Sequence, residues 1–234
     1  MIESAIASAA DLVSLDLEDG VPLALKELAR KNAIAALRDL NWGNKLRAVR
    51  VNGLDTRWGL DDVVEIVEGA GAHLDLILVP KPRSPRDIWY FDILLAQLER
   101  KLNLQKKIGL EAIVEESAAL ACVEQIAGCC TRLESLILGF GDLSKSLGMR
   151  LDVASSPADT YPGDIWHHAR ARMITACRAS GICAIDGPFG NVRDLEAYRR
   201  EAIRAAALGA TGKTALHPSQ IEIANAVFGP ATTT

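Results

Sequence analysis

Two acids stand where chemistry is easiest to place. Between Ile108 and Gly148 the chain reads IGLEAIVEESAALACVEQIAGCCTRLESLILGFGDLSKSLG. A short apolar run, Ile108–Val114, closes on Glu115 and Glu116. Helical periodicity follows over Ser117–Gly128, and a second apolar run, Leu133–Phe140, closes on Gly139-Phe140-Gly141-Asp142. Read as strand, helix, strand, this delivers a carboxylate at the C-terminal end of each of two parallel strands. Such a pair suits a hard divalent cation, because Mg²⁺ is commonly held by one or two carboxylates, with waters and substrate oxygens completing the shell. The competing reading is that Glu115 and Asp142 cap the helices that follow, where acids are favoured in any case. Glu116 falls on the opposite side if extended geometry continues past Val114.

The elements that must position these acids repeat one pattern along the chain. Asp11–Leu17 is an apolar run broken by Asp16 and followed by Glu18-Asp19. Leu46–Val51 ends in Arg50-Val51-Asn52, Leu74–Pro80 in Lys81, Ile182–Ile185 in Asp186, and Gly212–Leu216 in His217. Amphipathic stretches predict helices between them, over Pro22–Leu40, Gly59–Gly71, Pro85–Leu102, Ile165–Ser180, Asp194–Leu208 and Ser219–Phe228. Leu151–Gly163, with Pro157 and Pro162, has no clear periodicity. Near-continuous apolar strands alternating with helices indicate a parallel sheet covered on both faces. In (β/α)₈ barrels the active site lies at the C-terminal ends of the strands, where the polar punctuation falls here. A doubly wound sheet is the other α/β option, but no G-x-G-x-x-G follows the first strand. The strands number seven and the chain opens on a helix, so a (β/α)₈ (TIM) barrel is expected with its first strand absent. Residues 1–228 are expected to form one catalytic domain, with a frayed tail over 229–234.

Composition narrows the class. The 234 residues are 49% hydrophobic and 24% charged, with a formal net charge of −4; those proportions suit a globular chain. There is no basic stripe, which argues against nucleic acid. The N-terminus lacks the basic segment of a signal peptide, and no stretch reaches the roughly 18 apolar residues of a membrane span. Five cysteines (Cys122, Cys129, Cys130, Cys177 and Cys183) have no zinc-like spacing. They read as free thiols in a reducing compartment, hence a cytoplasmic protein.

Taken in order, LDLEDGVPLALKELAR (Leu15–Arg30), VRVNG (Val49–Gly53), ILVPK (Ile77–Lys81), VEESAALACVEQIA (Val114–Ala127), GFGDLSKSLG (Gly139–Gly148), AIDGP (Ala184–Pro188) and GKTALHPSQ (Gly212–Gln220) resemble the HpcH/HpaI aldolase/citrate lyase family. The likeness is to its citrate lyase β-subunit-like and malyl-CoA lyase branch, in the short form without a C-terminal lid. The resemblance implies a barrel of the phosphoenolpyruvate/pyruvate-domain type. It also implies Mg²⁺, with Mn²⁺ as the alternative, and coenzyme A as part of the substrate. By position, Glu115 and Asp142 are expected as metal ligands and Arg50 as the group that binds a 2-oxo acid and stabilises developing negative charge. Glu18 and Asp19 are expected as acids that hold metal-bound waters, and Lys26 to point toward the site. Gly141 and Asp186 are expected at the substrate, and Lys213, where barrels often bind phosphate, at coenzyme A; the competing readings are turn chemistry for Asp186 and a purely structural Gly-Lys-x-x-x-His-Pro stretch for Lys213. His217 reads more simply as a hydrogen-bonded residue beside Pro218. The family also implies a homotrimer or hexamer acting on an acyl-CoA and a 2-oxo acid.

The implied chemistry explains the residue types. Cleaving or forming a 3-hydroxyacyl-CoA such as malyl-CoA or citramalyl-CoA requires a stabilised thioester enolate and a polarised oxo-acid carbonyl. A metal on two carboxylates keeps enough positive charge to act as a Lewis acid, and an arginine presents a planar fork to carboxylate or enolate oxygens. The competing reading of Arg50 is an ion pair with Glu18 or Asp19. Two departures from the family stand out: its usual first strand, which carries an arginine, precedes nothing here, and the general base has no assigned residue beyond a water held by Glu18 or Asp19. A CoA-independent pyruvate or oxaloacetate aldolase, or an incomplete non-catalytic member, are the alternatives.

Overall fold

Strand and helix alternate throughout the computed structural model, which describes residues 2–150 and 163–229. After a short α1 (Ile2–Ile6), β1 (Leu12–Asp16) leads through a 3₁₀ turn at Leu23–Leu25 into α2 (Lys26–Asp39). Then come β2 (Leu46–Arg50), α3 (Gly59–Ala70), β3 (Leu76–Val79), α4 (Pro85–Leu102) and β4 (Gly109–Val114). The stretch expected as one helix over Ser117–Gly128 is two, α5 (Ser117–Ala121) and α6 (Val123–Ala127). Cys122 between them leaves helical geometry at φ −128°, and Arg172 takes up the carbonyl of Ala121 at 3.0 Å. The chain continues with β5 (Leu133–Leu138), α7 (Phe140–Ser146), α8 (His167–Ser180), β6 (Cys183–Asp186), α9 (Leu195–Leu208), β7 (Gly212–Lys213) and α10 (Pro218–Phe228). The aperiodic Leu151–Gly163 stretch lies, except for Gly163, outside the described residues, as does the tail beyond Gly229.

Contacts group the chain into two units, Met1–Ile113 with Cys129–Glu134, and Val114–Gly128 with Ser135–Thr234. In the first, β1 to β4 pair in parallel in chain order, with Asp16 opposite Arg50, Arg50 opposite Leu78 and Val79 opposite Ala112. Every residue of β3 and β4 is buried, as expected of parallel strands covered on both faces. The helices present apolar faces to them: Ile88, Phe91, Leu95 and Leu98 of α4 recur at helical spacing and are buried. α4 starts at a capping box between Ser84 and Asp87 with Pro85 as its first residue, and stops where Asn103 turns left-handed, as helix ends of this composition do. A buried polar knot joins α2 and α3. Asp62, wholly inaccessible, accepts Arg30 Nε at 2.8 Å and the backbone N–H of Asn52 at 2.9 Å. The Asn52 amide also donates to Leu17 O at 2.9 Å, tying the end of β1 to the loop after β2.

In the second unit β5, β6 and β7 pair in parallel, Ile137 opposite Ile185 and Asp186 opposite Lys213. Met173 and Cys177 of α8 and Tyr198 of α9 are buried. Tyr198 joins Ile223 and Ala224 of α10 in an apolar cluster edged by Phe189, Leu195 and Phe228. α9 is capped by Asp194, which accepts from Ala197 N at 2.9 Å. Close approach dictates Gly187, because a Cβ there would overlap the carbonyl of Leu138.

Asp62→Ala leaves the Arg30 guanidinium with Glu65 as its remaining carboxylate partner and two N–H groups of Asn52 without theirs. Breaking a buried ion pair from one side costs about 3–5 kcal/mol, so urea unfolding of this variant should show a loss of that order.

Candidate active site

In the first unit, the strand ends assemble an alternating charge network. The register sets Asp16 and Arg50 side by side, and Arg50 forks onto Asp16, Nε to Oδ1 at 2.7 Å and Nη2 to Oδ2 at 2.6 Å. The third guanidinium nitrogen reaches Glu18 Oε2 at 3.0 Å. Asp16 also accepts the backbone N–H groups of Glu18 and Gly20, each at 2.9 Å. A Cβ at residue 20 would overlap the Asp16 carboxylate, so glycine lets the loop close onto the strand end. Burial opposes the Asp16 charge, but the Arg50 bonds and the two N–H groups outweigh it and hold this carboxyl below its ordinary value.

Lys81 completes the network from the end of β3. It is left-handed at φ 48°, a conformation that costs a non-glycine residue of order 1 kcal/mol and tends to mark functional sites. Its ammonium binds Glu18 and also Asp19 Oδ2, the latter at 2.8 Å. Partial burial works against that charge, yet the Asp19 and Glu18 carboxylates raise Lys81 above the usual lysine range. Glu18 is buried and Asp19 largely exposed. Lys26 meets the same loop at its backbone. It is buried and donates to the carbonyls of Leu17 and Glu18, both at 2.7 Å, so it holds the backbone after β1.

The carboxylate pair belongs to the second unit. Gly139 N donates to Val114 O at 3.0 Å, which joins the segment carrying Glu115 to the one carrying Asp142. Glu115 is buried. Asp142 lies in the first turn of α7, a quarter exposed, 2.7 Å from the ammonium of the surface residue Lys145. Gly141 is exposed, and a Cβ there would meet nothing within 4 Å. Glu116 instead fastens α5 to α7. Its Oε2 accepts Ser146 Oγ at 3.1 Å, and Ser146 Oγ accepts Ser117 N at 2.9 Å. The capping alternative finds no support at α5, whose N-cap residue is Glu116 and makes no side-chain cap bond. Among the described residues no group of three or more His, Cys, Asp or Glu gathers at metal-binding spacing. Two carboxylates would supply a hard oxygen set of the kind that suits Mg²⁺, leaving most of its shell to water and substrate.

Asp186 and Lys213 correct two expectations. Both side chains are inaccessible, and Lys213 Nζ donates to Asp186 Oδ2 at 2.6 Å, Gly187 O at 2.8 Å and Glu201 Oε1 at 2.9 Å. The other Asp186 oxygen takes Arg170 Nε at 2.8 Å. An ammonium with three internal acceptors has no donor left for a phosphate, and this aspartate faces protein on both oxygens. The knot instead supports α7, since the Arg170 guanidinium lies 5.1 Å and Lys213 Nζ 5.8 Å from the centroid of Phe140, two residues before Asp142. His217 caps α10, with Nδ1 accepting Ser219 N at 3.2 Å. Sequence reasoning assigned no site role to Asp16 or Lys81. Asp16 was legible as the acid interrupting an apolar run and Lys81 as the charge after β3, whereas Arg170, inside a helix, carried no signal.

Parallel strands with charged residues at their C-terminal ends define a parallel (β/α)-barrel protein of the class expected, seven strands lying among the described residues. The chain belongs to the HpcH/HpaI aldolase/citrate lyase family, which it matches over residues 1–218. It is 41% identical over 242 residues to an L-malyl-CoA/β-methylmalyl-CoA lyase of Cereibacter sphaeroides, covering 100% of this chain and 76% of that protein. A malyl-CoA/β-methylmalyl-CoA/citramalyl-CoA lyase of Chloroflexus aurantiacus is 36% identical over 96% of this chain and 69% of its own length. Among solved structures, CitE of Mycobacterium tuberculosis in complex with magnesium, acetoacetate and coenzyme A is 30% identical, with a TM-score of 0.76 over 98% of this chain and 76% of that one.

Two outcomes follow from the ion pairs. The Asp16 carboxyl lies below its ordinary value of 3.8 in the folded protein, so its pairing with Arg50 stabilises the fold above that pH and is lost as pH falls through the folded value. Unfolding free energies of wild type and Arg50→Met, measured by urea titration, should differ at neutral pH and converge on acidification below about 4. Lys213→Met strands Asp186 beside Arg170 alone. It should cost about 3–5 kcal/mol of stability and leave KM for an acyl-CoA unchanged, whereas a phosphate-binding lysine would raise that KM.

Proposed function

We propose that this protein is a metal-dependent carbon–carbon lyase. It cleaves a 3-hydroxyacyl-CoA such as malyl-CoA or citramalyl-CoA into an acyl-CoA and a 2-oxo acid, or forms it from them. The observation that carries this reading is the carboxylate pair of Glu115 and Asp142 on segments joined by the Gly139–Val114 bond. The malyl-CoA lyases at 41% and 36% identity support the substrate class. The CitE complex with magnesium and coenzyme A supports the cofactor and the thioester.

Glu115 and Asp142 hold the divalent ion, Mg²⁺ or Mn²⁺. When bound, it supplies Lewis acidity to the oxo-acid carbonyl and carboxylate. Arg50 presents N–H donors to the oxo-acid carboxylate and to the oxygen on which charge develops, and Asp16 and Glu18 hold its plane in place beforehand. Donors fixed in advance of the reaction are usually the largest electrostatic contribution to catalysis. Gly141 leaves room for substrate beside Asp142. Glu18 and Asp19, gathered by Lys81, hold the water that accepts the hydroxyl proton during cleavage and the α-proton of the acyl group during condensation. Residues 1–228 act as one catalytic domain, assembled as a homotrimer or hexamer. Five cysteines without disulfides fit a cytoplasmic setting. No helix among the described residues is long and apolar enough to cross a membrane.

The test is mass spectrometry of the purified protein with Mg²⁺, acetyl-CoA and glyoxylate, alongside an EDTA control. Malyl-CoA, or malate with free CoA, should form only where the metal is available. Glu115→Gln should abolish product, and Arg50→Lys should lower turnover by about 10²–10³. Undiminished turnover in Glu115→Gln would overturn the metal assignment. Turnover of free oxaloacetate without any thioester would move the reading to a CoA-independent aldolase.

A further inference from the structure

The outer face of α4 carries a stripe to which the lyase reading gives no role. Arg86, Trp89, Tyr90, Ile93, Gln97 and Arg100 are all exposed. Their spacing of three and four residues sets them along one side of the helix, opposite the buried Ile88, Phe91, Leu95 and Leu98. Ile93, at the middle of the stripe, is 60% exposed. Trp89 is held in place by its indole N–H, which donates to Cys129 O at 2.9 Å, and Tyr90 meets Phe91 edge to face. Tryptophan, tyrosine and arginine are the residues on which protein interfaces most depend, and side chains already fixed lose less freedom on binding. The neighbouring helix α3 has the opposite sign. Its outer face presents Leu60, Asp61, Glu65 and Glu68. Glu68 binds Lys101 at 2.6 Å, which sets the two helices side by side, and Glu65 is engaged by Arg30. Asp61, Arg86 and Arg100 make no ion pair among the described residues. An acidic helix therefore lies beside a basic one, with Leu60, Trp89, Tyr90 and Ile93 as the exposed apolar groups of the pair.

We propose that the α3–α4 face is a two-fold interface between copies of this chain, with α3 of each copy laid over α4 of the other. A two-fold contact must be self-complementary, and the distribution of charge selects this arrangement. Crossing α4 on a second α4 about Ile93 would set Arg86, seven residues before it, against Arg100, seven residues after it, and like charges brought together oppose association. An axis running along the groove between α3 and α4 exchanges the two helices instead. The arginines of α4 then meet the acids of the partner's α3, and the same pairing occurs a second time by symmetry. Leu60, Trp89, Tyr90 and Ile93 of both copies close the centre away from water. The occupant is a second copy because this one surface supplies both signs and the apolar groups that match them. The contact does not rest on the lyase reading, and joined to a ring of three it yields six chains.

Light scattering on the full chain as it elutes from a sizing column counts the copies. Wild type should hold an even number, and Ile93→Glu should hold half as many. Two further variants change only exposed charges: Arg86→Glu/Arg100→Glu reverses the sign of α4, and Asp61→Lys/Glu68→Lys reverses the crest of α3. Each alone should give the halved assembly. An equimolar mixture of the two should recover the wild-type number, because acid then faces base on both helices of the contact, and that recovery also shows that both variants are folded. The proposal is overturned if wild type holds an odd number of copies, if Ile93→Glu or either charge variant alone keeps the wild-type number, or if the mixture stays halved. Retention of the wild-type number by Asp61→Lys/Glu68→Lys alone would put a contact between two α4 helices in its place.

Discussion

A parallel strand covered on both faces has little place for charge along its length: β3 is apolar and buried throughout, and β4, buried throughout, carries a single acid, Glu111, within it. Charge collects where the strands stop, and because those ends are still half-buried it must be matched there. Asp16 and Arg50 meet because β1 and β2 align them, and Glu18, Asp19 and Lys81 extend the same alternation of sign. The requirement that fixes the fold electrostatically is thus the one that makes strand ends suitable for catalysis. A guanidinium already held flat by Asp16 has little orientational freedom left to lose, which suits the substrate contact proposed for Arg50.

Support for these residues comes from polar groups that never reach the surface. Asp62 links Arg30 to Asn52, and Asn52 reaches back to Leu17. In the second unit Arg170, Asp186 and Lys213 occupy a comparable position beneath Phe140. Buried ion pairs are weak contributors to net stability but sensitive to the loss of one partner, so their effect here is to specify geometry. The glycines at 20 and 187 serve that geometry by allowing backbone to approach where a side chain would collide.

Much was determined by the sequence alone. The seven strands fall within one to three residues of the apolar runs that predict them, because burial on both faces leaves a local mark that periodicity can detect. The acids and the arginine of the candidate site were legible for the same reason, as charges punctuating apolar runs. What only the tertiary structure decided was pairing. Nothing in EDG says that Asp16, not Glu18 or Asp19, is the main partner of Arg50, since that follows from the β1–β2 register. Glu115 and Glu116 are chemically alike, and they differ because Ser146, thirty residues later in the chain, binds one of them. Asp186 and Lys213 read as ligands for a substrate, yet strand pairing and the packing of α8 and α9 close them into the core. Periodicity is a property of neighbours in sequence, whereas ion-pair partners are set by contacts between segments distant in the chain, and those exist only once the fold has formed.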